Sequence, residues 1–158
     1  MQLWLVRHAI AEEPEFAASD FERKLTSKGR KQFRRLADCL AAQGVTPQAI
    51  LTSPLVRAVE TAEILAEAAG MSGAACRRDQ RLGPGVTVES VAMLADQQAS
   101  DCVALVGHEP DMSELVTVLT GGVVQFSKGA IACIEFAGRV GAGEGCLRWF
   151  LVPKLLKD

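Results

Sequence analysis

Tyrosine is absent from the 158-residue chain, and histidine occurs only twice, as His8 and His108. The list of neutral-pH proton carriers and nucleophiles is therefore short. Cysteine is sparse and poorly arranged for cross-linking. Cys39, Cys76, Cys102, Cys133 and Cys146 are odd in number, widely spaced and never form a C-x-x-C pair. That argues against a disulfide framework or a zinc cluster and makes buried reduced thiols the expectation. Long apolar runs are missing too: no stretch approaches the ~18 residues of a membrane span. The segment from Met1 to Val6, ahead of Arg7-His8, has neither the basic start nor the apolar length of a signal peptide. Nor does one sign of charge dominate, since 17 Lys plus Arg against 19 Asp plus Glu leave a net charge of −2. With no global basic field, neither nucleic acid nor an anionic membrane is an expected partner, and any anion site must be local. A cytoplasmic protein of one domain is the natural expectation, because 49% hydrophobic residues suffice for one core of ordinary size.

What is present is an alternation of two periodicities. Leu3 to Val6, Ala49 to Leu51 and Val103 to Val106 are short continuous apolar runs, the pattern of strands buried on both faces of a mostly parallel sheet. Between them, Phe33, Leu36, Ala37 and Leu40 share one helix face, with Thr26 as N-cap and Gly44 as stop. Leu55, Ala58, Val59 and Ala62 repeat the spacing, with Ser53 as expected N-cap, Pro54 at the first helical position and Gly70 closing. A shorter helix is expected over Thr87 to Ala95, and Met112, Leu115, Val116 and Leu119 predict a last one that ends at Gly121-Gly122. Ala130 to Phe136 and Cys146 to Val152 read as a hairpin at one sheet edge. The expected architecture is a three-layer α/β/α sandwich with a mostly parallel central sheet and an antiparallel edge. Residues 9–24 and 71–84 are the longest irregular stretches and the expected sources of substrate contacts.

Each parallel-type strand runs directly into a reactive or anion-binding element. Val6 leads into Arg7-His8, Leu51 into Thr52-Ser53-Pro54 and then Arg57, and Val106 into Gly107-His108. Ligands of open α/β sheets sit beyond the carboxyl ends of the strands, so these segments should converge on one crevice. Arg57 and His108 both lie at helix starts, where free N–H groups favour an anion. Two arginines, two histidines and two helix N-termini suit a phosphoryl dianion. A neutral imidazole can attack phosphorus while Arg7, Arg57 and His108 carry the charge on the other oxygens, with no metal or cofactor required.

Taken in order, Leu5-Val6-Arg7-His8, Leu51-Thr52-Ser53-Pro54-x-x-Arg57-Ala58-x-x-Thr61-Ala62 and Val106-Gly107-His108-Glu109-Pro110 resemble the histidine phosphatase (phosphoglycerate mutase-like) superfamily. Ala17 to Thr26, the small size and the spacing to His108 are similar to the SixA type, the phosphohistidine phosphatases. The resemblance spans nearly the whole chain and implies a single histidine phosphatase domain over residues 1–158. It implies His8 as the transiently phosphorylated nucleophile, with Arg7, Arg57 and His108 binding the phosphoryl group and Arg23 and Ser53 as further phosphate contacts. Two departures stand out. Ala9 replaces the commoner Gly after Arg-His, which matters only if that backbone needs a positive φ. The region where larger members carry a proton-donating carboxylate is short and reads Asp79-Gln80-Arg81-Leu82.

That shortage of acid bears on substrate class. A phosphate monoester expels an alkoxide and benefits from a strong general acid, whereas phosphohistidine expels an imidazole that needs less help. The expected substrate is therefore a phosphorylated one, a phosphohistidine-bearing protein. The alternatives are small monoesters or phospho-Ser/Thr proteins and, further off, a non-catalytic phosphate-binding module. Glu109 and Asp79 are weak acid candidates, with a helix-terminal carboxylate and a solvated loop as their plainer roles. Arg23, Lys24, Lys28, Arg30, Lys31, Arg34 and Arg35 form a basic cluster whose plain reading is a solvated helix face.

Overall fold

The computed structural model describes residues 1–156. Along the chain run β1 (Gln2–Arg7), α1 (Ser27–Ala42), β2 (Ala49–Thr52), α2 (Val56–Ala68), β3 (Arg77–Arg78), α3 (Val88–Asp96), β4 (Cys102–Gly107), α4 (Asp111–Thr120), β5 (Ile131–Phe136) and β6 (Gly145–Leu151). The sheet order is β3-β2-β4-β1-β5-β6. The first four strands of that order are mutually parallel, and the β5–β6 hairpin closes one edge in antiparallel pairing.

The central strands are apolar throughout because each face has a helical layer to meet. Leu3, Leu5, Leu51, Val103 and Leu105 pack with Leu94 of α3 and Met112 and Leu115 of α4. Trp4, Val6, Ile50, Ala104 and Val106 pack on the opposite side with Phe33 and Leu36 of α1 and Ala58 and Leu65 of α2. The expected three-layer sandwich with its antiparallel edge is the observed one. Phe33 is fully buried, so truncating it to Ala costs about 3–5 kcal/mol.

Helix ends follow local chemistry. Thr26 Oγ1 accepts from Gly29 N–H and Thr87 Oγ1 from Ser90 N–H, capping α1 and α3. Gly44, Gly70 and Gly121 take the positive φ that stops three helices. The expected start of α2 is corrected. The helix begins at Val56, Leu55 is its N-cap residue without a side-chain cap, and Pro54 lies outside it. Ser53 does accept Leu55 N–H at 3.3 Å, but its hydroxyl also bonds His108. A second correction concerns the 71–84 stretch, which contains the two-residue edge strand β3 and short 3-10 turns. The buried-thiol expectation holds for Cys133; Cys39 and Cys146 are exposed, Cys76 and Cys102 intermediate, and all five are free. Among the described residues no helix is long and apolar enough to cross a membrane.

Candidate active site

Strand register brings the sequence motifs together. Arg7 pairs with Gly107 and Thr52 with Val106, so the residue that follows each strand emerges at one end of the sheet. His8 N–H donates to the Gly107 carbonyl at 3.1 Å and Ser53 N–H to the Val106 carbonyl at 2.9 Å. The two imidazole rings end 5.4 Å apart, centroid to centroid. Space at Gly107 is tight: a Cβ there would sit 2.6 Å from the terminal methyl of Met112, which would have to move aside.

His8 is buried, and its ring is oriented by a chain of bonds. Nδ1 lies 2.8 Å from the Ala9 carbonyl oxygen. A carbonyl can only accept, so Nδ1 carries the hydrogen and Nε2 keeps its lone pair. Arg57 Nε donates to that Nε2 at 3.3 Å. The Ala9 peptide is itself fixed, because its N–H donates to Thr61 Oγ1 at 3.0 Å and the Thr61 hydroxyl donates to the Arg57 carbonyl at 2.7 Å. Burial pulls the His8 pKa from 6.5 to about 3, with Arg57, His108 and Arg7 adding to the fall against the Ala9 bond. The imidazole is neutral at physiological pH. Ala9 carries no strain, since among the described residues positive φ is confined to glycines.

His108 is anchored from the other side of its ring. Its Nε2 lies 2.8 Å from Ser53 Oγ, while Nδ1 is buried without a hydrogen-bond partner among the described residues. Burial, then Arg57, pulls its pKa down to about 4.

The arginines fall into two settings. Arg7 NH1 donates to the Phe126 carbonyl at 2.8 Å, and its buried Nε has no partner among the described residues. Arg57 is buried and donates from NH1 to the Asp20 carbonyl at 2.8 Å and from NH2 to Asp20 Oδ2 at 3.2 Å. Burial lowers both arginine pKa values, the signature of a cation taken partly out of water. Arg23 reaches the group indirectly: its NH1 donates to Asp20 Oδ1 at 3.0 Å and its Nε to the Glu12 carbonyl at 2.8 Å.

The structure thus gathers Arg7, His8, Ser53, Arg57 and His108, with Arg23 joined to Arg57 through Asp20. Sequence reasoning assigned no role to three participants. Thr61 carried a signal, lying one helical turn after Arg57, but Asp20 and the Phe126 carbonyl were invisible without the loop paths. The weak acid candidates have other engagements: Glu109 accepts from Ser113 N–H and Oγ at 2.9 and 2.7 Å. Asp79 binds Arg81 at 2.9 and 2.7 Å.

Comparison with known proteins bears on the family and the fold. The family model of the histidine phosphatase superfamily (branch 1) matches residues 3–83. An uncharacterized protein of Picosynechococcus sp. (strain ATCC 27264 / PCC 7002 / PR-6) is 35% identical over 151 residues, covering 94% of this chain and 88% of that protein. The phosphohistidine phosphatase SixA of Escherichia coli (strain K12) is 30% identical over 162 residues, covering 99% and 97%. A solved structure of the protein histidine phosphatase SixA complexed with tungstate superposes with a TM-score of 0.86 at 28% identity, covering 99% of this chain and all of that one. Motif order, fold and site geometry meet in one conclusion: the chain belongs to branch 1 of the histidine phosphatase superfamily.

Proposed function

We propose that this phosphatase removes the phosphoryl group from phosphohistidine in a protein substrate, through a covalent phospho-His8 intermediate, and that residues 1–158 act as one cytoplasmic histidine phosphatase domain. In the first step the His8 Nε2 lone pair attacks phosphorus. The bond from phosphorus to the substrate's imidazole nitrogen breaks, and that nitrogen takes up a proton from solvent. Water then attacks the phosphorus of phospho-His8, releasing inorganic phosphate and the neutral imidazole. Arg7 and Arg57 hold the transferring oxygens as fixed cations, a preorganised role that carries most of the catalysis in phosphoryl transfer. Ser53, already accepting Leu55 N–H, gives its hydroxyl hydrogen to His108 Nε2, which leaves the hydrogen of the neutral ring on Nδ1 as a donor to a phosphoryl oxygen.

One observation carries the choice of substrate: the carboxylates around the site are engaged as acceptors. Asp20 is held low by Arg23 and Arg57, Asp79 is held low by Arg81, and Glu109 is taken by Ser113. A reaction that needs no protonated carboxyl for its leaving group fits this set. The 30% identity to a phosphohistidine phosphatase over nearly the whole chain supports the same reading.

A panel of a histidine-phosphorylated protein, phosphoserine peptides and sugar phosphates, given to one preparation, tests it. The phosphohistidine protein should be hydrolysed fastest, with an acid-labile phosphoenzyme trapped on His8. Faster turnover of the sugar phosphates would overturn the substrate assignment, and a phosphoenzyme that survives in the His8→Ala variant would overturn the nucleophile.

A further inference from the structure

The sequence presents the cations around α1 as one patch, and the fold divides it. Arg30 pairs with Glu60, Arg34 with Glu67 and Arg23 with Asp20. Arg35 donates to the Leu156 carbonyl at 2.9 Å. Lys28 lines a separate cleft of about 220 Å³, shared with Ile10, Gln32, Ser127, Lys128 and Lys154. Three lysines from distant parts of the chain therefore converge: one from the first turn of α1, one from the turn before β5, one from the 3-10 turn after β6. All three are exposed, and among the described residues no carboxylate lines the cleft and none of the three forms an ion pair.

Assembling three ammonium groups without an ion-pair partner among the described residues costs mutual repulsion. It is no by-product of a basic chain, because the net charge is −2. The cleft also adjoins the backbone that carries His8. Ile10 is two residues beyond His8, and Lys128 precedes Gly129, whose N–H donates to the His8 carbonyl at 2.9 Å. Ser127 adds a buried hydroxyl oxygen without a partner among the described residues. We infer that the Lys28–Lys128–Lys154 cleft docks an acidic face of the phosphorylated protein substrate, beside the phosphohistidine that enters the site. The inference rests on the phosphohistidine reading above. Charge complementarity names the partner, and a cleft with three cations and no aromatic lining fits carboxylates better than a nucleic-acid strand, which calls for a longer basic track and stacking surfaces.

The experiment compares free phosphoimidazole with two phosphohistidine peptides that differ only in Glu or Lys flanks. Substrates are given to the wild type, the triple Lys28→Gln/Lys128→Gln/Lys154→Gln variant and the corresponding triple Lys→Glu variant. At low salt the wild type should prefer the Glu-flanked peptide by roughly tenfold in kcat/KM, through KM, and lose the preference as salt rises. Neutralisation should erase the preference and reversal should invert it, with phosphoimidazole turnover unchanged in both variants. A preference that survives in the variants, or a parallel loss on phosphoimidazole, would overturn the docking role. So would variant-sensitive binding to RNA or anionic vesicles without any flank preference. If the wild type ignores phosphoimidazole but hydrolyses monoesters, the phosphohistidine reading fails on its own. Glu- and Lys-flanked phosphoserine peptides then decide the cleft: a flank preference lost on neutralisation supports it, and none overturns it.

Discussion

The ends of β1 and β4 each deliver a buried histidine to the same crevice, yet the two imidazoles are held by opposite nitrogens. After β1, the Ala9 carbonyl takes Nδ1 of His8 and leaves Nε2 facing Arg57. After β4, Ser53 takes Nε2 of His108 and leaves Nδ1 without a partner among the described residues. Similar burial lowers both pKa values, so electrostatics alone does not distinguish the rings. What distinguishes them is the group that holds each ring. A backbone carbonyl can only accept, so it forces one tautomer on His8 and keeps the lone pair on Nε2, as the proposed nucleophile requires. A hydroxyl can donate, so it permits the tautomer in which His108 is a donor. The same residue type thus supports two proposed roles.

The most severe way to break this comparison is to remove one ring at a time. His8→Ala should lower kcat by about 10⁴-fold or more and abolish the phosphoenzyme, since no other group takes over a covalent step. His108→Ala should cost about 10²- to 10³-fold, the range for losing one oriented donor, with a phosphoenzyme still formed on rapid quench. Equal losses in the two variants, or no phosphoenzyme in the second, would erase the distinction.

Subtler changes sharpen it by leaving both rings in place. Thr61→Val frees the Ala9 N–H and should slow phosphoenzyme formation by about tenfold, with Thr61→Ser restoring it; an unsatisfied buried N–H also costs about 1–3 kcal/mol of stability. Nitrogen chemical shifts of labelled histidine give the matching readout, a mixed tautomer at His8 in Thr61→Val. Stability against pH gives a further readout that leaves the chemistry aside. Both folded pKa values lie below the ordinary 6.5, at about 3 for His8 and about 4 for His108. The unfolded chain therefore binds more protons than the folded one between 6.5 and those values. The contribution is fully present above pH 6.5 and is lost as pH falls toward about 4 and then 3. Thermal melts should show Tm falling over that window, less steeply in His8→Gln and His108→Gln; identical slopes in the variants would contradict it.

The two long irregular stretches differ in how they use their carboxylates, and only the folded chain shows it. Residues 9–24 place Asp20 against Arg57, whereas in 71–84 Asp79 caps its own 3-10 turn and binds Arg81. Both looked equally able to supply substrate contacts, because a loop's path depends on what its backbone groups bond to rather than on periodicity. Ser53 shows the same limit. The Ser-Pro pair satisfied the rules for a helix start, but in space its hydroxyl is also beside His108 and the helix begins at Val56. The strands were legible because apolar runs without alternation have few other uses, and the strand-end residues followed from them.

By itself the sequence determined the layers, the parallel core and the set of candidate site residues at three strand ends, because burial periodicity and residue chemistry are local properties. Tertiary structure alone decided which nitrogen of each histidine is held, which carboxylates are engaged, and which lysines stand without an ion pair among the described residues. Those depend on distances between segments far apart in the chain, set by strand register and by the packing of α1 and α2 against the sheet.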